Sequence, residues 1–172
     1  MLFRSAVLER VAQQFPDLTT LGIGTFVPDA KTAETFLKLP RLKSLSGQSA
    51  ILTPEVVTVL ARHSSLQSLD LYGTSLTPWA SLAPLQRIQS LLIGVNRLSD
   101  AHIERLAELP QLQTLTIDRT QLSPEALAAF IKLRHVAAIH FTACEITDAD
   151  WTRITEALPN TRLLWNGQPR QR

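Results

Sequence analysis

The chain has 172 residues, 45% of them hydrophobic, so it is long and apolar enough to bury a core without disulfide or metal support. Its formal net charge of +2 gives little attraction for nucleic acid or a membrane surface, and its one cysteine excludes an intramolecular disulfide. No apolar run approaches the roughly 18 residues that a membrane-spanning helix needs.

The chain begins with a segment of helical pattern. Residues 8–18 (LERVAQQFPDL) match residues 151–161 (WTRITEALPNT) position for position. The matched apolar residues are the pairs Leu8 and Trp151, Val11 and Ile154, and Phe15 and Leu158. We therefore predict that residues 1–17 form the helix of a structural unit whose other parts are absent.

A second pattern follows and recurs along the chain. Its clearest copy is LQSLDLYGTSLTP, residues 66–78, in which leucine falls at offsets 0, 3, 5 and 10 from the first residue. Spacings between the copies are 24, 24, 22, 24, 24 and 25 residues. The copies begin at Leu18, Leu42, Leu66, Ile88, Leu112 and Val136, with a decayed last copy at Thr161. Near-equal intervals of this length predict a stacked repeat architecture.

Between the copies, apolar residues recur at offsets 15, 18 and 21, a helical spacing. Thr53-Pro54-Glu55 and Ser123-Pro124-Glu125 are typical helix starts, with an N-cap, a proline and an acid in the first turn. Ser99-Asp100 and Thr147-Asp148 are weaker versions of the same signal. Each unit is therefore predicted to contain a short strand, a turn and a capped helix.

The 22-residue unit is an exception on its helical side. Its apolar residues Trp79, Leu82 and Leu85 begin two positions early, and Pro84 interrupts the segment. Because proline disfavours a helix interior, we expect at most a short 3₁₀ turn there.

This periodicity resembles that of the leucine-rich repeat family, in its short bacterial form of about 24 residues. The resemblance implies an α/β fold, a curved right-handed leucine-rich repeat solenoid with a parallel sheet on the concave face and short helices on the convex face. It also implies that the offset-8 residue lies inside and bonds neighbouring backbone. That column comprises Phe26, Ala50, Thr74, Asn96, Thr120 and Cys144, of which the first two cannot form such a bond.

The whole chain, residues 1–172, is thus predicted to be one leucine-rich repeat domain. Residues 18–160 form six repeats, and residues 161–172 form a degenerate C-terminal repeat and a polar tail. Two explanations of the incomplete first repeat stay open. In the first, the chain is a gene fragment and residues 1–5 are of non-native origin, because Leu2-Phe3-Arg4-Ser5 resembles a translated sequencing adapter. In the second, the helix is an N-terminal cap.

Strand alternation places offsets 2, 4 and 6 on the concave face. Binding hot spots favour Tyr, Trp and Arg, so we take the large or charged residues on or beside this face as the candidate partner site. They are Asp70, Tyr72, Leu92, Asp118, Arg119 and His140. Trp165 also falls at offset 4 by this count, although an end cap is the better interpretation, and Trp79 and Trp151 are expected in the core.

Basic residues gather where helices end and strands begin, and acids gather at helix starts. Such a basic edge could meet a phosphate or an acidic protein, but charges placed to suit the helix dipoles explain both groups at once. The basic residues are Lys38, Arg41, Lys43, Arg62, His63, Arg87, Lys132, Arg134 and His135. Without interleaved aromatic residues they do not indicate nucleic-acid binding.

Signals for chemistry are weak. Asp118 and His140 could approach each other on adjacent strands, yet no nucleophile motif accompanies them. The histidines are scattered and Cys144 is expected to be buried, so neither a metal nor another cofactor is predicted.

Three functions are compatible with the sequence. The first is a non-enzymatic scaffold that binds a protein or peptide, with no nucleic acid and no membrane insertion. The second is a structural or assembly segment of a larger bacterial protein, with no ligand site of its own. The third, a parallel β-helix enzyme, is disfavoured because segments such as DAHIERLAELP have the spacing of a capped helix rather than of a strand.

Overall fold

The computed structural model describes residues 5–24, 29–47, 53–73, 82–94 and 97–167. Its α-helices are α1 (Ser5–Gln14), α2 (Ala30–Glu34), α3 (Pro54–Ala61), α4 (Asp100–Ala107), α5 (Pro124–Ala129) and α6 (Asp148–Ala157), and 3₁₀ turns continue α2 and α5 over Thr35–Lys38 and Phe130–Leu133. Its strands are β1 (Thr20–Ile23), β2 (Ser44–Gly47), β3 (Ser68–Tyr72), β4 (Ser90–Gly94), β5 (Arg97–Leu98), β6 (Thr114–Asp118), β7 (Gln121–Leu122), β8 (Ala138–Thr142) and β9 (Arg162–Trp165). Within these residues no helix is long and apolar enough to cross a membrane.

The main sheet confirms the predicted repeat. Seven parallel strands lie in the order β1-β2-β3-β4-β6-β8-β9, each hydrogen-bonded to the strand of the next repeat. The second inward-facing leucine of each copy forms one column, because Leu69 pairs with Leu91, Leu91 with Leu115 and Leu115 with Ile139. A small second sheet joins β5 to β7 just beyond the main strands. One apolar core runs through the stack.

The helices pack against one another on the opposite side of the core, with α2 beside α3, α4 beside α5 and α5 beside α6. Their predicted starts are confirmed. Thr53, Ser123 and Thr147 each accept a hydrogen bond from the backbone N–H three residues later, at 3.4, 3.1 and 3.1 Å. At Ser99 the bond runs the other way, since the Ser99 N–H donates to Nδ1 of His102 at 2.9 Å.

The short unit between β3 and β4 behaves as its proline predicts over its described part. Residues 82–89 form turns, in which the N–H of Leu85 bonds the Leu82 carbonyl at 2.8 Å and that of Ile88 bonds the Leu85 carbonyl at 3.2 Å. The prediction that Trp79 is a core residue lies outside the described residues. Although this unit is two residues shorter, Ser68 still pairs with Ser90, so the sheet register is unaffected.

The offset-8 column is described at two positions, and both bond backbone as expected. Thr120 is buried and its hydroxyl donates to the Asp118 carbonyl at 2.8 Å. Cys144 is buried and its thiol donates to the carbonyl of Ile117 in the preceding coil at 3.3 Å. The other members of the column, Phe26, Ala50, Thr74 and Asn96, lie outside the described residues.

His63 is buried and therefore does not belong to the exposed basic edge in which the sequence placed it. It is buried at offset 21, where other repeats have leucine, and its Nε2 lies 3.0 Å from the carbonyl of Leu39 in the preceding coil. Its Nδ1 accepts the Ser65 N–H at 3.3 Å, so Nε2 carries the hydrogen that Leu39 accepts. His135 makes the same kind of contact to the Leu109 carbonyl at 3.1 Å. Both histidines therefore join successive coils.

Trp165 was placed one position out of register. It pairs with Phe141, and its neighbour Leu164 takes the place opposite His140 on the concave face. The Trp165 ring instead stacks on Trp151 at a centroid distance of 5.8 Å, and its Nε1 donates to the Cys144 carbonyl at 3.2 Å. These contacts cover the last coil, as an end cap does.

The first helix shows a partial match to the last one. Leu8 is buried like Trp151, but Phe15 is 57% exposed whereas its counterpart Leu158 is 1% exposed. Among the described residues α1 has a neighbouring coil on one side only, which leaves Phe15 without cover. The division into an incomplete first repeat, six repeats and a degenerate last one stays a prediction.

A charge in the stacked columns should unfold the chain. Leu69 and Ile117 each lie between two coils, and Ile117 is 0% exposed. Replacing Ile117 by Asp buries a carboxylate against two neighbours and should cost more than about 4 kcal/mol, a large part of a typical domain stability. Ile117→Val, the matched control, should cost about 0.5–1.5 kcal/mol. Equal thermal transitions for Ile117→Asp and wild type would contradict the stacking.

Titration of His102, in the first turn of α4, should make the free energy of unfolding depend on pH. Burial lowers the pKa of His102 below its ordinary 6.5, an effect partly offset by Asp100. The unfolded chain then binds the proton first, so stability is full above about pH 6.5 and is lost as the pH falls towards the folded pKa. Protonation also removes the acceptor of the Ser99 N–H.

His102→Gln keeps a side-chain acceptor at this position without titrating near neutrality. In urea unfolding between pH 7.5 and 5.5, wild type should lose stability relative to this variant. Parallel losses in the two proteins would refute the assignment, because the other histidines are present in both.

Candidate functional site

The concave face is the open side of the main sheet, formed by the outward residues of its strands. Along β3, β6 and β8 the inward residues are buried, and the outward residues at offsets 2 and 4 are half-buried. The outward residues are mostly small or hydroxylated towards β1 and larger from β3 onwards. All six predicted site residues lie in or directly after strands β3, β4, β6 and β8.

Tyr72 and Arg119 form the main contact of this face. The Arg119 Nη1 donates to the Tyr72 hydroxyl at 2.7 Å, and its guanidinium carbon lies 5.9 Å from the centroid of the ring. The two residues belong to β3 and to the turn after β6, so the contact crosses the intervening strand β4, a span of about 10 Å. The sequence placed both residues on this face but did not predict their contact.

Gly94, the last residue of β4, makes that crossing possible. A Cβ added at Gly94 would lie 2.7 Å from Cδ2 of Tyr72 and 3.2 Å from the Asp118 carbonyl oxygen. Any side chain there would displace the Tyr72 ring. Sequence reasoning missed this residue, although a glycine between two large residues of the offset-6 column, Tyr72 and Asp118, was a usable signal.

Asp70 orients Tyr72. Its Oδ1 accepts the Tyr72 backbone N–H at 3.0 Å, and its Oδ2 accepts the Ser46 hydroxyl from β2 at 3.0 Å. Both carboxylate oxygens thus have partners inside the sheet face. Asp70 therefore connects Ser46 of β2 with the backbone of Tyr72.

Asp118 and Arg119 differ greatly in accessibility. The Asp118 side chain is 14% exposed and the Arg119 side chain 65%, and Oδ2 of Asp118 lies 4.0 Å from Nε of Arg119. An ion pair of this length and exposure contributes at most about 0.5 kcal/mol. Arg119 is thus the accessible charged group of the pair.

The backbone at Arg119 is strained. Its φ is +46°, and the equivalent residues of other coils also have positive φ: Gly73 at +65°, Ala143 at +50° and Gly167 at +75°. A non-glycine residue in this left-handed region costs on the order of 1–3 kcal/mol. The exposed contact between Arg119 and Tyr72 contributes about 0.5–1 kcal/mol. This is no more than the lower end of the backbone cost, so the contact does not offset that cost.

Leu92 and His140 flank this group. Leu92 lies between Asp70 and Thr116 in the sheet register and is half-buried, two residues before Gly94 on the same strand. His140 lies opposite Thr116, and Asp118 lies opposite Thr142. Asp118 and His140 are therefore diagonal rather than paired across the strands.

Four basic side chains outside this face lie beside acidic side chains of the preceding coil. Lys38 lies 3.5 Å from Glu9, Arg41 lies 3.2 Å from Asp17, and Arg62 lies 3.6 Å from Glu34. Lys132 likewise bonds Glu104. Each acid lies 24 to 29 residues earlier, so these pairs connect successive coils rather than forming one positive edge, and being exposed they stabilise weakly.

Cys144 is held in its thiol form. Burial raises its pKa, and the thiol donates to backbone carbonyls as described above. Across the described ranges there is no group of three or more His, Cys, Asp or Glu residues that could hold a metal ion.

Comparison with known proteins gives matches among solved structures alone. No protein-family model matches the chain, and no curated protein does. Internalin C2 of Listeria monocytogenes is 21% identical, with a TM-score of 0.52 over 88% of this chain and 74% of the internalin. Internalin inlF of the same organism is 19% identical, with a TM-score of 0.55 over 91% of this chain and 49% of its own.

A human protein is similar as well. The 5T4 trophoblast glycoprotein, also described as Wnt-activated inhibitory factor 1, is 15% identical, with a TM-score of 0.53 over 96% of this chain and 79% of its own. At identities of 15–21% these similarities concern the fold.

The Tyr72 platform can be tested at Gly94. Gly94→Ala should cost about 1–3 kcal/mol, because the added methyl group overlaps the Tyr72 ring. In a Tyr72→Ala background the same change should cost clearly less, since the ring overlap is gone and the 3.2 Å contact with the Asp118 carbonyl oxygen remains. Urea unfolding of the four proteins measures the coupling. Equal costs in both backgrounds would show that the ring does not lie over Gly94.

Proposed function

We propose that this leucine-rich repeat solenoid is a non-enzymatic scaffold that binds a protein or peptide on its concave face. The proposed contact residues are those predicted from the sequence: Asp70, Tyr72, Leu92, Asp118, Arg119 and His140. The internalins and 5T4 share the fold, and fold alone supports binding only by analogy. Support for binding by this chain comes from the residues of its own concave face.

The observation that carries the proposal is the hydrogen-bonded pair of Tyr72 and Arg119, which lies beside half-buried Leu92. Tyr and Arg are the residue types that supply most binding energy in interfaces, and a rigid anchor loses little entropy when a partner binds. Tyr72 is held by Asp70 through its backbone and by Arg119 through its hydroxyl. Leu92 adds apolar surface on the next strand.

Catalysis has weaker support from the same geometry. A general acid–base pair needs its two groups within hydrogen-bond reach of a shared reacting atom. Asp118 instead lies beside Arg119, and His140 lies opposite Thr116 in the sheet register. We therefore propose that the chain is not an enzyme and that it requires no cofactor.

Nucleic acid is also disfavoured as a partner. Recognition of a phosphate backbone requires several accessible cations on one surface. Lys38, Arg41, Arg62 and Lys132 each have an acidic side chain of the preceding coil beside them. We infer a protein or peptide partner and no membrane insertion by this segment.

A concave double variant should lose binding. Peptides would be selected from a random library against the wild-type chain, and their dissociation constants measured for wild type and for Tyr72→Ala, Leu92→Asp. Loss of two anchors should weaken binding at least about tenfold. The matched control is Ile131→Asp, a charge placed on a 42% exposed isoleucine of the helical side.

Binding that is unchanged in the concave variant, or lost only in the Ile131 variant, would contradict the concave site. Failure to select any binder would favour the second hypothesis, a structural or assembly segment of a larger bacterial protein. Circular dichroism must show both variants folded.

A further inference from the structure

The accessible charge at the centre of the concave face is positive. Asp70 uses both carboxylate oxygens within the sheet face, and the Asp118 side chain is 14% exposed. The Arg119 side chain is 65% exposed. A partner that approaches this face therefore meets the guanidinium before it meets either carboxylate.

The Arg119 guanidinium is hydrogen-bonded to Tyr72 through one N–H group, which leaves its other N–H donors available. A guanidinium has five N–H donors in a planar fork. The Tyr72 hydroxyl accepts one from Nη1, and Asp118 lies 4.0 Å from Nε, too far for a good hydrogen bond. The described contacts therefore fix the plane of the fork while hydrogens on both terminal nitrogens can still reach a ligand.

The turn that contains Arg119 has the same backbone conformation in coils that carry glycine or alanine at this position. Glycine occupies the same turn position at Gly73 and Gly167, so the turn itself does not need an arginine. Ala143 shows that a plain side chain is tolerated there at the same positive φ. Arg119 differs from Ala143 in that its guanidinium contacts an aromatic platform two strands away.

We propose that the partner presents a carboxylate to Arg119 and an apolar side chain next to it to Leu92. This inference rests on the proposed function, since it names the chemistry of the partner at the same face. Planar carboxylates match the guanidinium fork in a bidentate manner, with both geometry and charge favourable. Leu92 lies two residues along β4 from Gly94, about 7 Å away, and the Tyr72 ring that Arg119 contacts lies over Gly94. This is the spacing of residues i and i+2, which share one face of an extended peptide.

The test is a selection of short peptides from a random library displayed with a free C terminus, against the wild-type chain. Selected peptides should be enriched in Asp, Glu or a terminal carboxylate two residues from an apolar residue, so that both side chains face the sheet. Resynthesis with Asp→Asn or Glu→Gln, and separately with an amidated C terminus, identifies which carboxylate binds. Neutralising that group should weaken binding at least about tenfold.

Variants of the protein provide the matched half of the experiment. Arg119→Gly removes the fork and relieves the backbone, so it should weaken binding at least about tenfold while raising the thermal transition. Ala143→Gly relieves the equivalent backbone and should raise the transition while leaving binding unchanged. Arg119→Lys keeps the charge and loses the fork, and should bind less well than wild type.

The outcomes separate this inference from the proposed function. Some peptides could depend on Tyr72 and Leu92 but bind equally well after their carboxylate is neutralised and when the protein carries Arg119→Gly. That result would contradict the proposed carboxylate contact and would still support the concave site. Selection of basic peptides would do the same. Peptides that ignore Tyr72 and Leu92, or no peptides at all, would overturn both.

Discussion

Each coil of this chain has an apolar side that only the next coil can cover, and the rest of the structure depends on that cover. The inward residues of the strands form continuous columns, such as Leu69, Leu91, Leu115 and Ile139, and one core runs through all of them. The polar contacts follow the same rule. His63, His135 and the ion pairs Lys38–Glu9 and Arg62–Glu34 each join a coil to the one before it. Stability is therefore local in the chain, passing from neighbour to neighbour.

The candidate site is the part of the molecule that departs from nearest-neighbour contact. Tyr72 reaches across β4 to Arg119, a separation of 47 residues in sequence, and does so only because Gly94 has no side chain. A contact that skips a coil connects three neighbouring strands, β3, β4 and β6, on one face of the sheet. It also fixes the orientation of a guanidinium on an exposed surface, where arginine usually samples many rotamers.

The sequence predicted those features that periodicity or local chemistry determines. Strand columns follow from the repeated apolar offsets, and N-caps such as Thr53 and Ser123 involve residues three apart. Features that depend on the reach of one side chain were not predictable. The repeat pattern shows that Gly94 leaves room beside Tyr72, but it does not show that Tyr72 reaches Arg119 or that buried His63 contacts the Leu39 carbonyl. Trp165 was misplaced because the last copy lacks the leading aliphatic residue that sets the register in the others.

The shortened coil between β3 and β4 shows where the architecture accepts a change of length. Two residues fewer than in the other coils leave the pairing of Ser68 with Ser90 intact, so the difference in length lies outside the paired strands. That arc is consequently the natural place to graft a loop or a reporter peptide. An insertion between these two strands would leave the spacing of the side chains along the sheet unaltered.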